Sequence, residues 1–100
     1  MNNSVSMYVS GLNRRNFTNN TQRVLYTLLT APGDGWVSRG SFRVGSAAAR
    51  VRDLRKSDYG SFDVVCQSSV QLGRTSKTTF YRLNTGRMTL SQLRSVFEGV

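Results

Sequence analysis

The sequence predicts an α+β domain in which three helices carry a β-hairpin, with an N-terminal strand or arm and an extra C-terminal helix. Three observations carry that expectation. Apolar residues recur at helical spacing before and after a glycine–proline breaker, as Val24-Leu25-Leu28-Leu29 and as Ala47-Val51-Leu54. Two strand-like runs, FDVVCQ over Phe62–Gln67 and TFYRLN over Thr79–Asn84, flank a polar stretch containing glycine. A last apolar stripe, Leu90-Leu93-Val96-Phe97, follows a Thr89/Gln92 capping box. One hundred residues suit one domain, divided here into an arm (1–17), a main unit (18–84) and a terminal helix (85–100).

In chain order, Val5, Met7 and Val9 alternate with Ser4, Ser6, Tyr8 and Ser10, the period of a short strand. As a strand it needs an edge, on its own sheet or on a second copy of the chain. GLNRRNFTNN is a polar linker holding Arg14 and Arg15. Asn19 is a good N-cap with Gln22 three residues on, so a helix should run from about Asn20 to Thr30, with Arg23 and Thr27 off its apolar stripe. Ala31-Pro32-Gly33-Asp34-Gly35 ends it, and Trp36-Val37 should form a very short strand. Ser38 should cap a short helix weakened by Gly40, with Phe42 and Val44 inward and Arg39 and Arg43 on the exposed side. Gly45 suits a left-handed stop, and Ser46 should cap the next helix, Ala47 to about Ser57.

That helix separates into two faces at about 100° per residue. Ala47, Val51 and Leu54 fall on one, while Ala48, Ala49, Arg52, Arg55 and Lys56 fall on the other. Asp53 lies three residues from Arg50, a spacing that should hold Arg50 in an ion pair and leave Arg52 the freer base. In the first hairpin strand Phe62, Val64 and Cys66 share a face, so Cys66 should be a small buried residue. Residues 68–78, with Arg74 and Lys77, form a long basic loop between the strands. The terminal helix should cover the domain or meet a partner chain.

The charge points to an anionic partner. Fourteen Lys and Arg against five Asp and Glu give +9 and a pI near 11.1, and only Lys56 and Lys77 among the fourteen are lysine. Arginine's planar fork suits phosphate oxygens and guanine edges better than a point charge does. With no histidine, neither a Ser-His-Asp nor a Cys-His arrangement can be built. No Walker loop or dinucleotide glycine motif is present, and the acids are dispersed, so neither an enzyme nor a cofactor is expected. One cysteine allows no internal disulfide and no zinc site, so no metal is expected. No apolar run reaches the roughly 20 residues of a membrane span, and the first residues lack a signal-peptide layout. A cytoplasmic protein with no membrane partner is the expectation.

The segment SAAARVRDLRKSDYGSFDVV, followed by FYRL, resembles the winged helix-turn-helix superfamily, and within it the small helix-turn-helix domains of bacteriophages and prophages. In those, an "aaRv-dLR" helix leads through an aromatic–glycine turn into a hairpin ending in tyrosine-arginine-leucine. The matching residues are Ala48, Ala49, Arg50, Val51, Asp53, Leu54, Arg55, Tyr59, Gly60, Tyr81, Arg82 and Leu83, within roughly residues 21–84. The first ten to fifteen residues, Gly40 and the terminal helix depart from the pattern. The resemblance implies a viral DNA-binding protein, a transcription regulator or an excisionase-like factor, acting in the host cytoplasm.

On that reading the recognition helix presents Ser46, Ala48, Ala49, Arg52, Arg55 and Lys56 to the major groove, Arg52 being the base reader. Arg39 and Arg43 would grip phosphates, Arg74 and Lys77 the flanking backbone from the wing, and Arg14 and Arg15 would act as an arm. Double-stranded DNA is the expected partner. RNA or a host protein complex, such as RNA polymerase or a CRISPR effector blocked by a phage-encoded inhibitor, is the competing one, since fold does not fix function. A homodimer through the N-terminal arm or the C-terminal helix is a further expectation.

Overall fold

Ten residues from Asn20 to Leu29 (α2) form the helix around which the core assembles. Val24 and Leu25 are wholly buried, with Leu28 and Leu29 one turn on. Asn19 caps the helix by accepting from the Gln22 amide at 2.9 Å. Gln22 does not return the bond to Asn19, as a capping box would. Its Oε1 accepts from the Thr18 amide at 2.7 Å, and its Nε2 donates to the Val96 carbonyl at 3.0 Å. A buried glutamine thereby ties the start of α2 to the C-terminal helix. The computed structural model describes residues 3–56, 60–68, 73 and 78–99.

The described residues form a small α+β domain with four α-helices and a three-stranded antiparallel sheet. The sheet comprises β1 (Val37–Ser38), β2 (Val64–Ser68) and β3 (Thr79–Leu83), in the order β1-β3-β2. Val37 pairs with Tyr81, and β2 pairs with β3 from Val64↔Leu83 to Ser68↔Thr79. By strand alternation Val37, Tyr81, Leu83, Val64 and Cys66 share one face. The first four are buried in the common core, Tyr81 lying 5.9 Å ring to ring from Phe42.

Cys66 is exposed, against expectation. It sits on the outer strand of the sheet, opposite Tyr81 and on the side away from β1. Strand alternation gives its face correctly, but on that face β2 is buried at Val64 and has left the core by Cys66. Asn84 also falls outside its predicted strand, and its amide instead donates to the Asp63 carbonyl at 2.8 Å.

The N-terminal segment is a helix, Asn3–Ser10 (α1), and not a strand or an arm. Val5 and Val9 are buried in the main core, whereas Met7 is 76% exposed. A strand would put all three on one face. A helix separates Met7 from the i, i+4 pair and lets the two valines pack. The Tyr8 hydroxyl donates to Glu98 Oε2 at 2.6 Å. Burial and then the Glu98 carboxylate, through its hydrogen bond and its charge, push the Tyr8 hydroxyl up from 10.0 to about 12, with Arg94 opposing.

The C-terminal helix, Leu90–Phe97 (α4), starts at the full Thr89/Gln92 capping box. Leu93 and Val96 are buried, and α4 packs on α1 and α2. Its Gln92 Nε2 reaches the Gly60 carbonyl at 2.7 Å. Gly60 has φ 102, and a β-carbon there would lie 3.1 Å from both Phe62 and Ser95 side-chain atoms, so glycine is required. A run of rings, Tyr8–Phe97 (6.5 Å), Phe97–Phe17 (5.4 Å) and Phe17–Tyr26 (5.3 Å), extends this seam across the linker. The terminal elements thus spend their apolar faces within the chain. Among the described residues no helix is long and apolar enough to cross a membrane.

Candidate nucleic-acid interface

The helix expected to read DNA runs Ala47–Arg55 (α3) and packs on α2 through Ala47, Val51 and Leu54, all buried. It is shorter than expected because Lys56 is extended and the chain folds back, the Phe62 amide bonding to the Leu54 carbonyl at 2.7 Å. Its approach also differs. The segment expected to be a short helix is a 3-10 turn, Arg39–Phe42, with Ser38 pairing its hydroxyl with that of Ser41. The left-handed stop falls on Arg43 (φ 55), not on Gly45. Ser46 is left-handed as well (φ 58) and makes no side-chain cap. Its carbonyl, not its hydroxyl, starts α3, accepting from Ala49 and Arg50.

The bases of α3 divide by what holds them. Arg50 Nε lies 3.2 Å from Asp53 Oδ2, the ion pair that the spacing predicts, though it is out of line for a hydrogen bond. Lys56, expected to be a free contact, is also drawn to Asp53, at 3.5 Å. Arg55, expected at the interface, folds onto the sheet, its Nε and Nη2 donating to the Val64 carbonyl at 3.0 and 2.7 Å. Arg55 is thus a clamp between α3 and β2. Arg52 is exposed and has neither an ion pair nor a hydrogen bond among the described residues. Ser46 is exposed, and Ala48 and Ala49 are half-buried. Among the bases at this helix, Arg52 alone is left without a partner among the described residues, alongside exposed Ser46 and half-buried Ala48 and Ala49.

The other predicted bases fall in different places. Arg39 is exposed on the 3-10 turn. Arg14 and Arg15 are not on an extended arm but in a one-turn 3-10 segment, Arg14–Asn16, capped by Asn13. Arg14 lies over the Tyr26 ring at 5.2 Å. Arg74 and Lys77 lie outside the described residues. Among the hairpin residues that are described, Arg82 stacks on Trp36 at 5.1 Å.

The structure brings together three arginines that sequence distance keeps apart. Arg14, Arg23 and Arg43 line one cleft of about 170 Å³ with Thr27, Phe42 and Val44. Arg23 was legible only as a polar residue off the apolar stripe of α2; nothing in spacing joins it to Arg14 or Arg43. Among the described residues, no group of three His, Cys, Asp or Glu could hold a metal ion. Comparison with family models, curated proteins and solved structures gives no match. The site is therefore judged on its own chemistry.

Proposed function

We propose that this chain is a winged helix-turn-helix domain of the phage type that binds double-stranded DNA, as a transcription regulator or an excisionase-like factor. The topology supports the fold reading. The order α2, β1, 3-10 turn, α3, β2, β3, with β3 between β1 and β2, supports it, since a helix-turn-helix closed by a β-hairpin would take that order. The observation that carries the function is α3 itself. A helix held to the core by Ala47, Val51 and Leu54 turns outward two small residues and one uncommitted arginine, on a chain of charge +9. Small residues allow close approach to a groove, and Arg52 can fork onto a guanine edge. Arg39 and the wing bases would grip phosphates, giving affinity with little selectivity.

A second reading has its own observation. Arg50, Arg55 and Lys56 are all engaged within the protein, so α3 offers little base code. That surface would equally suit an acidic patch on a host protein complex. Titration against duplex DNA at several salt concentrations separates the two. The DNA reading expects a log–log slope of about −4 to −7, for five to eight neutralised phosphates. Absence of duplex binding at low salt, with a host protein retained after nuclease treatment, would replace it with the second.

A further inference from the structure

We propose that the cleft between the Arg14–Asn16 turn, α2 and the Arg39–Phe42 turn is a binding site for a phosphate group. It goes beyond the reading of α3, because it uses different residues on three other elements. The first ground is composition. Three arginines line one small concavity, and no carboxylate lines it among the described residues. Like charges gathered without a counter-ion repel one another, and an anion seated among them removes that cost. The planar fork of arginine matches phosphate oxygens in pairs.

The second ground is how each arginine is held. Arg14 rests on the Tyr26 ring, which is itself packed edge-on against Phe17. Arg23 donates through Nη1 to Asn20 Oδ1 at 3.0 Å and through Nη2 to the Phe17 carbonyl at 3.4 Å. Both are positioned by neutral groups, so their charge remains uncompensated. The third ground is backbone strain. Arg43 is a non-glycine residue at φ 55, ψ 34, a conformation unfavourable for side chains with a β-carbon. Glycine would be the ordinary residue there, and Gly45 stands two positions away. Strained positions of this kind cluster where a ligand is held. The left-handed turn is also what carries Arg43 into the cleft beside α2 instead of along the helix that follows.

The test is a titration of the full chain with inorganic phosphate at fixed ionic strength, followed by amide and arginine Nε–H NMR signals. Saturable shifts are expected at Arg14, Arg23 and Arg43. Arg23→Gln should weaken them about tenfold, the loss of one charge-assisted contact. Arg87→Gln, on an exposed arginine outside the cleft, should leave them unchanged. Arg43→Gly should also lose phosphate binding without lowering the melting temperature, because it relieves the strained turn. Shifts that never saturate and spread evenly over Arg39, Arg52 and Arg87 would overturn the proposal. A duplex arm identifies the source of the phosphate. If Arg23→Gln makes the salt slope shallower by about one unit, the cleft seats a nucleic-acid backbone phosphate. If the slope is unchanged while inorganic phosphate still saturates the wild-type cleft, the ligand is a free phosphate or mononucleotide. Saturation by phosphate with no duplex binding at all would refute the DNA reading and leave the site standing.

Discussion

Replacing Arg55 and Arg52 separately by alanine tests the division of labour on α3. Arg55 gives two donors to one carbonyl, Val64 O, at 3.0 and 2.7 Å. A hydrogen bond from a charged group contributes about 1.5–3 kcal/mol when well buried. The Arg55 side chain is on the exposed side, so solvent screening reduces this to about 1 kcal/mol. Alanine's better helix propensity offsets only a few tenths of that. Arg55→Ala should therefore lower the melting temperature by about 4–8 °C in a domain of this size. Arg52 bonds to nothing among the described residues, so Arg52→Ala should change stability by less than about 0.5 kcal/mol. Its effect should appear on DNA, as a loss of about 1–3 kcal/mol of preference for the best sequence. Thermal melts followed by circular dichroism, and competition binding with two duplexes, measure both. The reasoning fails if Arg52→Ala melts lower than Arg55→Ala. It also fails if Arg55→Ala melts like the wild type and loses as much sequence preference as Arg52→Ala.

Three further outcomes are expected. Val5→Ser should destabilise by about 2 kcal/mol, since the valine is buried, whereas Met7→Ser should stay within about 0.5 kcal/mol; equal effects in urea melts would restore the strand reading of the N-terminus. Gly60→Ala should cost about 2 kcal/mol or more, because φ 102 is strained for alanine and its β-carbon would meet Phe62 and Ser95; a wild-type urea midpoint would contradict this. The Tyr8 hydroxyl, raised from 10.0 to about 12, stabilises the fold fully below pH 10 and loses that contribution as pH rises to 12, by about 1 kcal/mol once solvent exposure is allowed for. Wild type minus Tyr8→Phe stability should therefore narrow across that window, and a difference constant in pH would argue against the Tyr8–Glu98 bond.

Much of the fold was legible because its signals are local. The Asn19 cap, the α2 stripe, the Thr89/Gln92 box and the buried face of α3 all follow from spacings of three or four residues. The N-terminus misled for the same reason. Val5 and Val9 are four apart, a multiple of two that also fits a helix, and serines between them do not decide. Only Met7, left in solvent, separates the periods. Cys66 misled because alternation reports a face and not how far the core extends beneath it. The left-handed turns at Arg43 and Ser46 could not be read at all, since Gly45 between them is the residue that chemistry would choose.

For the site, sequence reasoning located the bases and missed their obligations. Asp53 was expected to hold one base and draws two, Arg50 and Lys56. Arg55 is drawn off by a carbonyl nine residues on, a contact set by how the chain reverses after α3. Both losses are from the helix proposed to read DNA and its C-terminal end, which shifts the weight of any phosphate contact elsewhere. Among the described residues, the arginines without an acidic partner include Arg39 and Arg52, on and after the 3-10 turn, and the trio of Arg14, Arg23 and Arg43. Those three come from segments separated by linker and helix, so only the fold places their charge in one spot. A DNA-binding surface on this chain would then read bases weakly through α3 and hold backbone strongly through its flank. Such a protein gains selectivity chiefly by binding beside a second copy or a second protein, each adding its own half-site.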